Sequence, residues 1–199
     1  MNLNGYKIIL ASSSPRRIEY LKKINIPFKT IIIKYNEDFD KNLKGHFIPR
    51  YIVKKKAEIF LNKINDKEII ITADTIVWHK NKYLGKPKNN KEAINMLTEL
   101  SNNVHKVITA VGFLTKKKLE IIHKTTKVKF GKVSKEDLIN YTKNDKPFDK
   151  AGSYGIQDWF GLIAVESLNG SYSNIVGFPT YEVYKKIKEI TSNNNFFYQ

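Results

Sequence analysis

Ile8-Ile9-Leu10-Ala11-Ser12-Ser13-Ser14-Pro15-Arg16-Arg17 reads as a strand, a polar turn and the start of a helix whose apolar positions are Ile18, Leu21 and Ile24. Ser14 suits the N-cap, because its hydroxyl can accept from a backbone N–H of the first turn. Pro15 suits the first helical position, where its missing N–H costs nothing. Two cations follow. A helix N-terminus already carries partial positive charge, so Arg16 and Arg17 cost roughly a few tenths of a kcal/mol there unless an anion offsets them. Free N–H groups, three hydroxyls and two guanidinium forks within one turn describe a phosphate site, with Ser12, Arg16 and Arg17 as its candidate ligands. Taken alone, the segment fits an ordinary capped helix with two solvated arginines as well.

Outward from this turn, strands and helices alternate. Phe28 to Ile33 predicts a second strand, buried on both faces, followed by a polar loop from Tyr35 to Lys44. Its Glu37, Asp38 and Asp40 either hold a divalent cation or form a solvated acidic loop. Val53, Ala57, Phe60, Leu61 and Ile64 recur at helical spacing over 49–64. Lys54, Lys55 and Lys56 then fall on three azimuths, so at most one or two of them serve a site. A third strand over 68–72 ends at Ala73-Asp74-Thr75. There Asp74 faces a cleft at the strand ends or caps its own turn. A hairpin through Lys80-Asn81 returns to Gly85-Lys86-Pro87, which holds Lys86 between a flexible and a rigid residue.

A helix over 90–100, strands over 105–113 and 119–130, and a helix capped by Ser134 come next. The four histidines lack ligand spacing and read as structural or exposed. Phe148-Asp149-Lys150-Ala151-Gly152-Ser153-Tyr154-Gly155-Ile156-Gln157 sets opposite charges side by side at Asp149 and Lys150. It also offers the planar amide of Gln157, whose donor and acceptor match a uracil or thymine edge, although a lone glutamine is commonly just surface. A strand over 161–168, a connector, a helix over 180–191 and a frayed tail over 193–199 complete the chain. The order predicts an α/β protein with a mixed, twisted sheet flanked by helices, spanning 1–199 as one compact domain or two tightly joined lobes.

No stretch approaches the roughly 18 apolar residues of a membrane span, and the N-terminus lacks the apolar core of a secretory signal. The absence of cysteine excludes disulfides and thiolate metal sites and agrees with a cytoplasmic location. The net charge of +16 invites a nucleic-acid partner. Yet only Arg16, Arg17 and Arg50 are arginine among 35 basic residues, where a base reader favours the arginine fork. The excess therefore reads mainly as a solvated surface, and nucleic acid as an unlikely partner.

With these segments in place, the chain resembles the Maf family of nucleoside triphosphate pyrophosphatases. The matching pieces are Leu10 to Arg17, Glu37, Lys56-Ala57, Ala73-Asp74-Thr75, Gly85-Lys86-Pro87, Val107-Ile108-Thr109, Asp149 to Gln157 and Val176-Gly177-Phe178-Pro179, in the family's order. The resemblance implies a Maf/ITPase-like fold with a central nucleotide cleft, and hydrolysis between the α and β phosphates to give the monophosphate and pyrophosphate. It implies a divalent metal, Mg²⁺ or Mn²⁺, for which Glu37 and Asp74 are the candidate ligands, and Asp74 as catalytic base. Arg16, Lys56 and Lys86 would cradle the triphosphate, and Arg16, Thr75 and Gln157 fall on the specificity positions. Asp149 to Tyr154 and the glutamine side with the branch acting on dTTP and UTP, and a homodimer is implied. Asp158-Trp159-Phe160 departs from the small residues usual there and could reshape the base pocket. Two alternatives remain: the same reaction with shifted base specificity, or a basic nucleic-acid-binding or division-regulating protein with a vestigial pocket.

Overall fold

A computed structural model describes residues 1–35 and 38–192. Glu37 and the tail over 193–199 lie outside the described residues. Seven strands form one mixed sheet: β1 (Lys7–Ala11), β2 (Phe28–Ile31), β3 (Glu68–His79), β4 (Lys82–Leu84), β5 (Val104–Leu114), β6 (Leu119–Phe130) and β7 (Val165–Asn169). Their order is β2-β1-β3-β5-β6-β7, with β4 also paired to β3. β1 runs parallel to β2 and β3, while the remaining pairs are antiparallel. The parallel end comes from the strand–helix–strand passage through α1 (Pro15–Lys23), and the antiparallel end from two hairpins, β3–β4 and β5–β6, with helical connections between β4 and β5 and between β6 and β7.

Side chains of β3 alternate between two layers, as strand geometry requires. Ile69, Ile71 and Ala73 pack with Leu21 of α1 and with Val183 and Ile187 of α7 (Thr180–Thr191). Ile70 and Ile76 turn the other way, towards Ala57, Ile48 and Ile52 of α2 (Phe47–Glu58). A third cluster joins the antiparallel end to α3 (Asn90–Leu100), α4 (Lys135–Asp145), α5 (Trp159–Ala164) and α6 (Tyr172–Val176).

Four sequence expectations change. β2 is an exposed edge strand: β1 is its sheet neighbour, and Ile31 and Ile32 are 41% and 75% exposed. α2 stops at Glu58, and Phe60 and Ile64 reach the core from the turns beyond it. β3 does not end before Asp74 but runs unbroken to His79, because β5 pairs with it from Ile70 to Trp78. The apolar run after Gly161 begins as helix α5, burying Phe160 and Ala164 four residues apart, before β7 starts at Val165.

Candidate active site

The continuity of β3 creates the site. β1 pairs with β3 through Leu10↔Ile71, and β4 takes up the same edge from Val77 onward. Between them β3 has β5 on one side and an open edge on the other, where a cleft of about 310 Å³ forms. An open edge brings both faces of a strand within reach of one ligand. Asp74 and Thr75, which point to opposite faces, both line it.

The Asp74 side faces α2. Its Oδ1 accepts from Lys56 Nζ at 3.0 Å, with only 8% and 9% of the two side chains exposed. The ammonium also lies 5.9 Å from the ring centroid of Tyr35. Lys54 is exposed and Lys55 pairs with Glu58, so Lys56 alone of the three lysines reaches the cleft.

The turn after β1 behaves as its residues predict. Ser14 is the N-cap, its Oγ accepting from Arg17 N–H at 3.5 Å, and Ser12 Oγ accepts from Ser14 N–H at 3.2 Å. The two arginines then part. Arg16 reaches across the cleft mouth to Asp149 Oδ2 at 2.9 Å. Arg17 is built into the wall: Nε donates to Gly177 O at 3.0 Å, one terminal nitrogen to Ala73 O at 3.0 Å, the other to Thr75 Oγ1 at 3.2 Å. Ala73 O lies on the open edge of β3, so the guanidinium occupies the place of a missing strand.

The opposite wall comes from 149–157. Gly152 adopts φ +68°, and its N–H donates to Gly85 O at 2.9 Å. A Cβ there would lie 2.7 Å from Val77 Cγ2, so glycine lets this loop dock on β3 and bring Lys150 to the cleft that Lys86 also lines. Lys150 Nζ contacts Asp149 Oδ1 at 3.1 Å and Asp158 Oδ2 at 3.4 Å. Burial works against ionisation of Asp149, but the Lys150 hydrogen bond and charge, and then Arg16, hold its carboxyl below the ordinary range. Gln157 Nε2 lies 3.5 Å from Tyr20 OH of α1, a contact too long to lock the amide.

Asp158-Trp159-Phe160 does not line the cleft. Asp158 accepts from Tyr141 OH at 2.8 Å, Phe160 is fully buried against the Tyr141 ring, and Trp159 faces outward. The departure therefore acts at one remove, by anchoring Lys150.

Three participants had no role assigned from the sequence, although Thr109 stands in the matched piece Val107-Ile108-Thr109. Thr109 Oγ1 lies 3.0 Å from Thr75 Oγ1 and donates to Asn174 O at 2.9 Å. Tyr20 of α1 reaches Gln157 through its hydroxyl. Asn174 is fully buried in what looked like a connector, and its side-chain amide donates to Val107 O and Thr126 Oγ1. For Thr109 the usable signal was that matched piece, and its cross-strand pairing with Thr75 gives the physical reason. The histidines stay away from the cleft: His79 and His105 are buried, and His46 stacks on His123 with centroids 4.5 Å apart. Among the described residues no group of three or more His, Asp or Glu converges as a metal cage.

Fold and cleft together define a class: α/β proteins whose central sheet opens one strand edge onto a cleft lined by cations around a buried carboxylate. The chain belongs to the Maf-like protein family, whose profile matches residues 7–190. Its relatives include proteins named dTTP/UTP pyrophosphatase in Flavobacterium psychrophilum, 49% identical over 89% of this chain and 91% of the relative, and in Flavobacterium johnsoniae, 45% identical over 92% and 94%. A protein of the same name in Bacteroides fragilis is 40% identical over 95% of this chain and 98% of its own length. Among solved structures, a nucleoside-triphosphatase / dITP/XTP pyrophosphatase from Mycobacterium abscessus overlaps 64% of this chain and 75% of its own, with TM-score 0.42 and 11% identity.

Proposed function

We propose that this protein hydrolyses dTTP and UTP between the α and β phosphates, releasing the nucleoside monophosphate and pyrophosphate. The observation that carries the reading is the buried Lys56–Asp74 pair on the floor of a cleft whose rim supplies Arg16, Lys86 and Lys150 from three other segments. Cations spread around a cleft suit a triphosphate, whose charge is distributed over many oxygens. One carboxylate held among them suits a base for water. The names of relatives at 40–49% identity supply the substrate pair.

Asp74 takes the proton of the attacking water, with Lys56 fixing the carboxylate's orientation. Arg16 and Lys86 bind and orient the phosphates, which brings the scissile bond to the carboxylate. Thr75 and Gln157 face the base. A divalent cation, Mg²⁺ or Mn²⁺, fits the chemistry of the donors, since Mg²⁺ is usually held by one or two carboxylates together with substrate phosphates. Asp74 is one such ligand and Glu37 the other in this reading. Bound with substrate, the cation would supply neutralisation of charge on the leaving pyrophosphate. A homodimer acting in the cytoplasm belongs to the same reading; no described helix is long and apolar enough to cross a membrane.

The test incubates purified protein and Mg²⁺ with each common nucleoside triphosphate and separates pyrophosphate from orthophosphate. Pyrophosphate from dTTP and UTP is expected. Orthophosphate alone would place attack at the terminal phosphate and overturn the mechanism.

A further inference from the structure

We propose that Thr75 meets the nucleobase only as a hydrogen-bond acceptor, a polarity imposed by Thr109 and Arg17, and thereby selects bases whose ring nitrogen bears a proton. The inference rests on the assignment of a pyrimidine nucleoside triphosphate to this cleft and adds which atom of the base is read.

The argument is a proton count. Asn174 O is a carbonyl and can only accept; it lies 2.9 Å from Thr109 Oγ1, which lies 3.0 Å from Thr75 Oγ1. Three oxygens in a row with two hydroxyl protons to share have one arrangement that puts a proton in each gap. Thr109 donates to Asn174 O, and Thr75 donates to Thr109. The reverse order would leave two oxygens 2.9 Å apart with no proton between them, at a threonine that is fully buried and has no water to turn to. Gly177 N–H also donates to Asn174 O, at 3.0 Å, which keeps that carbonyl in place at the chain's end.

The second side of Thr75 is fixed as firmly. Arg17 carries donors and no acceptor, and one terminal nitrogen lies 3.2 Å from Thr75 Oγ1. The hydroxyl proton is spent on Thr109 and one lone pair on Arg17. A threonine hydroxyl has two lone pairs, so what Thr75 presents to the cleft is the second of them. Uracil and thymine offer N3–H to such an acceptor. Cytosine offers an N3 lone pair, which meets lone pair with lone pair. Thr109 and Arg17 are thus positioning residues, acting through Thr75.

The experiment measures binding of α,β-methylene-UTP and α,β-methylene-CTP by calorimetry in the presence of Mg²⁺. The wild-type protein is expected to favour the uridine analogue by about ten-fold or more, the range in which an unmatched polar contact discriminates. Thr109→Val removes the acceptor of the Thr75 proton and lets that hydroxyl turn towards the cleft. The ratio should then fall towards one, chiefly through tighter binding of the cytidine analogue. Thr109→Ser, which keeps the hydroxyl, should restore it. A simple structural role for Thr109 would weaken both analogues together, and that outcome overturns the proposal.

Should Thr109→Val fail to fold, Thr75→Val serves: it is expected to weaken the uridine analogue and spare the cytidine one, and an equal loss of both is the contrary result. Pyrophosphate release from UTP is scored on the wild type in parallel. Release together with equal analogue affinities overturns the acceptor polarity and leaves the proposed reaction standing. Discrimination without release does the reverse.

Discussion

Asp74 and Lys56 face each other at 3.0 Å with less than a tenth of either side chain exposed, so neither charge has water as a substitute partner. Removing one member of such a pair takes an opposite charge away from a buried ion, at a cost of up to about 3–5 kcal/mol. Lys56→Met should lower urea-unfolding stability by that order, and adding Asp74→Asn should recover much of it. Asp74→Asn alone should reduce pyrophosphate release by about 10²- to 10⁴-fold, as expected for loss of a general base, while nucleotide binding measured by calorimetry persists. Survival of activity in that variant would remove Asp74 from the role of base. Arg17 and Arg16 show what the residue scale leaves illegible. Sequence places both at one helix start, and only the azimuth sends one into the wall and the other across the mouth. Arg17→Lys keeps the charge but cannot span Gly177 O, Ala73 O and Thr75 Oγ1. It should cost about 1–3 kcal/mol in thermal or urea unfolding, whereas a solvated arginine would give almost nothing.

α2 must lie close to the sheet for Lys56 to reach Asp74, and Gly112 of β5 makes room for it. A Cβ on Gly112 would meet Val53 Cγ1 at 2.7 Å and Thr72 Oγ1 at 2.9 Å. Gly112→Ala should therefore push the helix outward, lowering stability by about 1–3 kcal/mol and lowering kcat although no cleft residue has changed. Unchanged turnover would show that the helix can slide without moving Lys56. Elements with one strong period were legible: α3 and α7 run where apolar spacing put them, and so does β6. Elements whose pattern allows two answers were not. Phe28 to Ile33 reads as a strand buried on both faces, but pairing order, which no local pattern records, leaves its strand at the edge. Asp74 looks like the end of a strand because a polar residue interrupts an apolar run. The strand continues because β5 supplies the pairing and Lys56 supplies the charge. The candidate site was legible as a set of segments, and its depth was not: Thr109 and Asn174 are ordinary residues until pairing brings them behind Thr75.

The whole molecule carries +16, and one of its neutral groups adds to its sensitivity to acid. Burial, with the nearby His79 adding to it, lowers the pKa of His105 from 6.5 to about 3, and His105 Nε2 lies 2.7 Å from Tyr154 OH. Between those two values the unfolded chain binds a proton that the folded chain refuses. The stability tied to His105 is thus fully present above about pH 6.5 and is lost as pH falls towards 3, at up to about 1.4 kcal/mol per pH unit. Melting temperatures measured from pH 7 to 4 should fall steeply, and His105→Gln should flatten the fall; an unchanged slope would assign it to the carboxylates instead. At this scale the mixed sheet was legible from the order of elements, while the gap between β1 and β4 was not, since it depends on where two pairings stop. That gap has a consequence for how such a protein diversifies. Residues 74 and 75 are adjacent codons, yet one looks towards α2 and the other towards Arg17 and Gly177. Under the proposed function, substitutions behind residue 75 alter which nucleotide enters, those behind residue 74 how fast it is cut, and a lineage can explore the first without relearning the second.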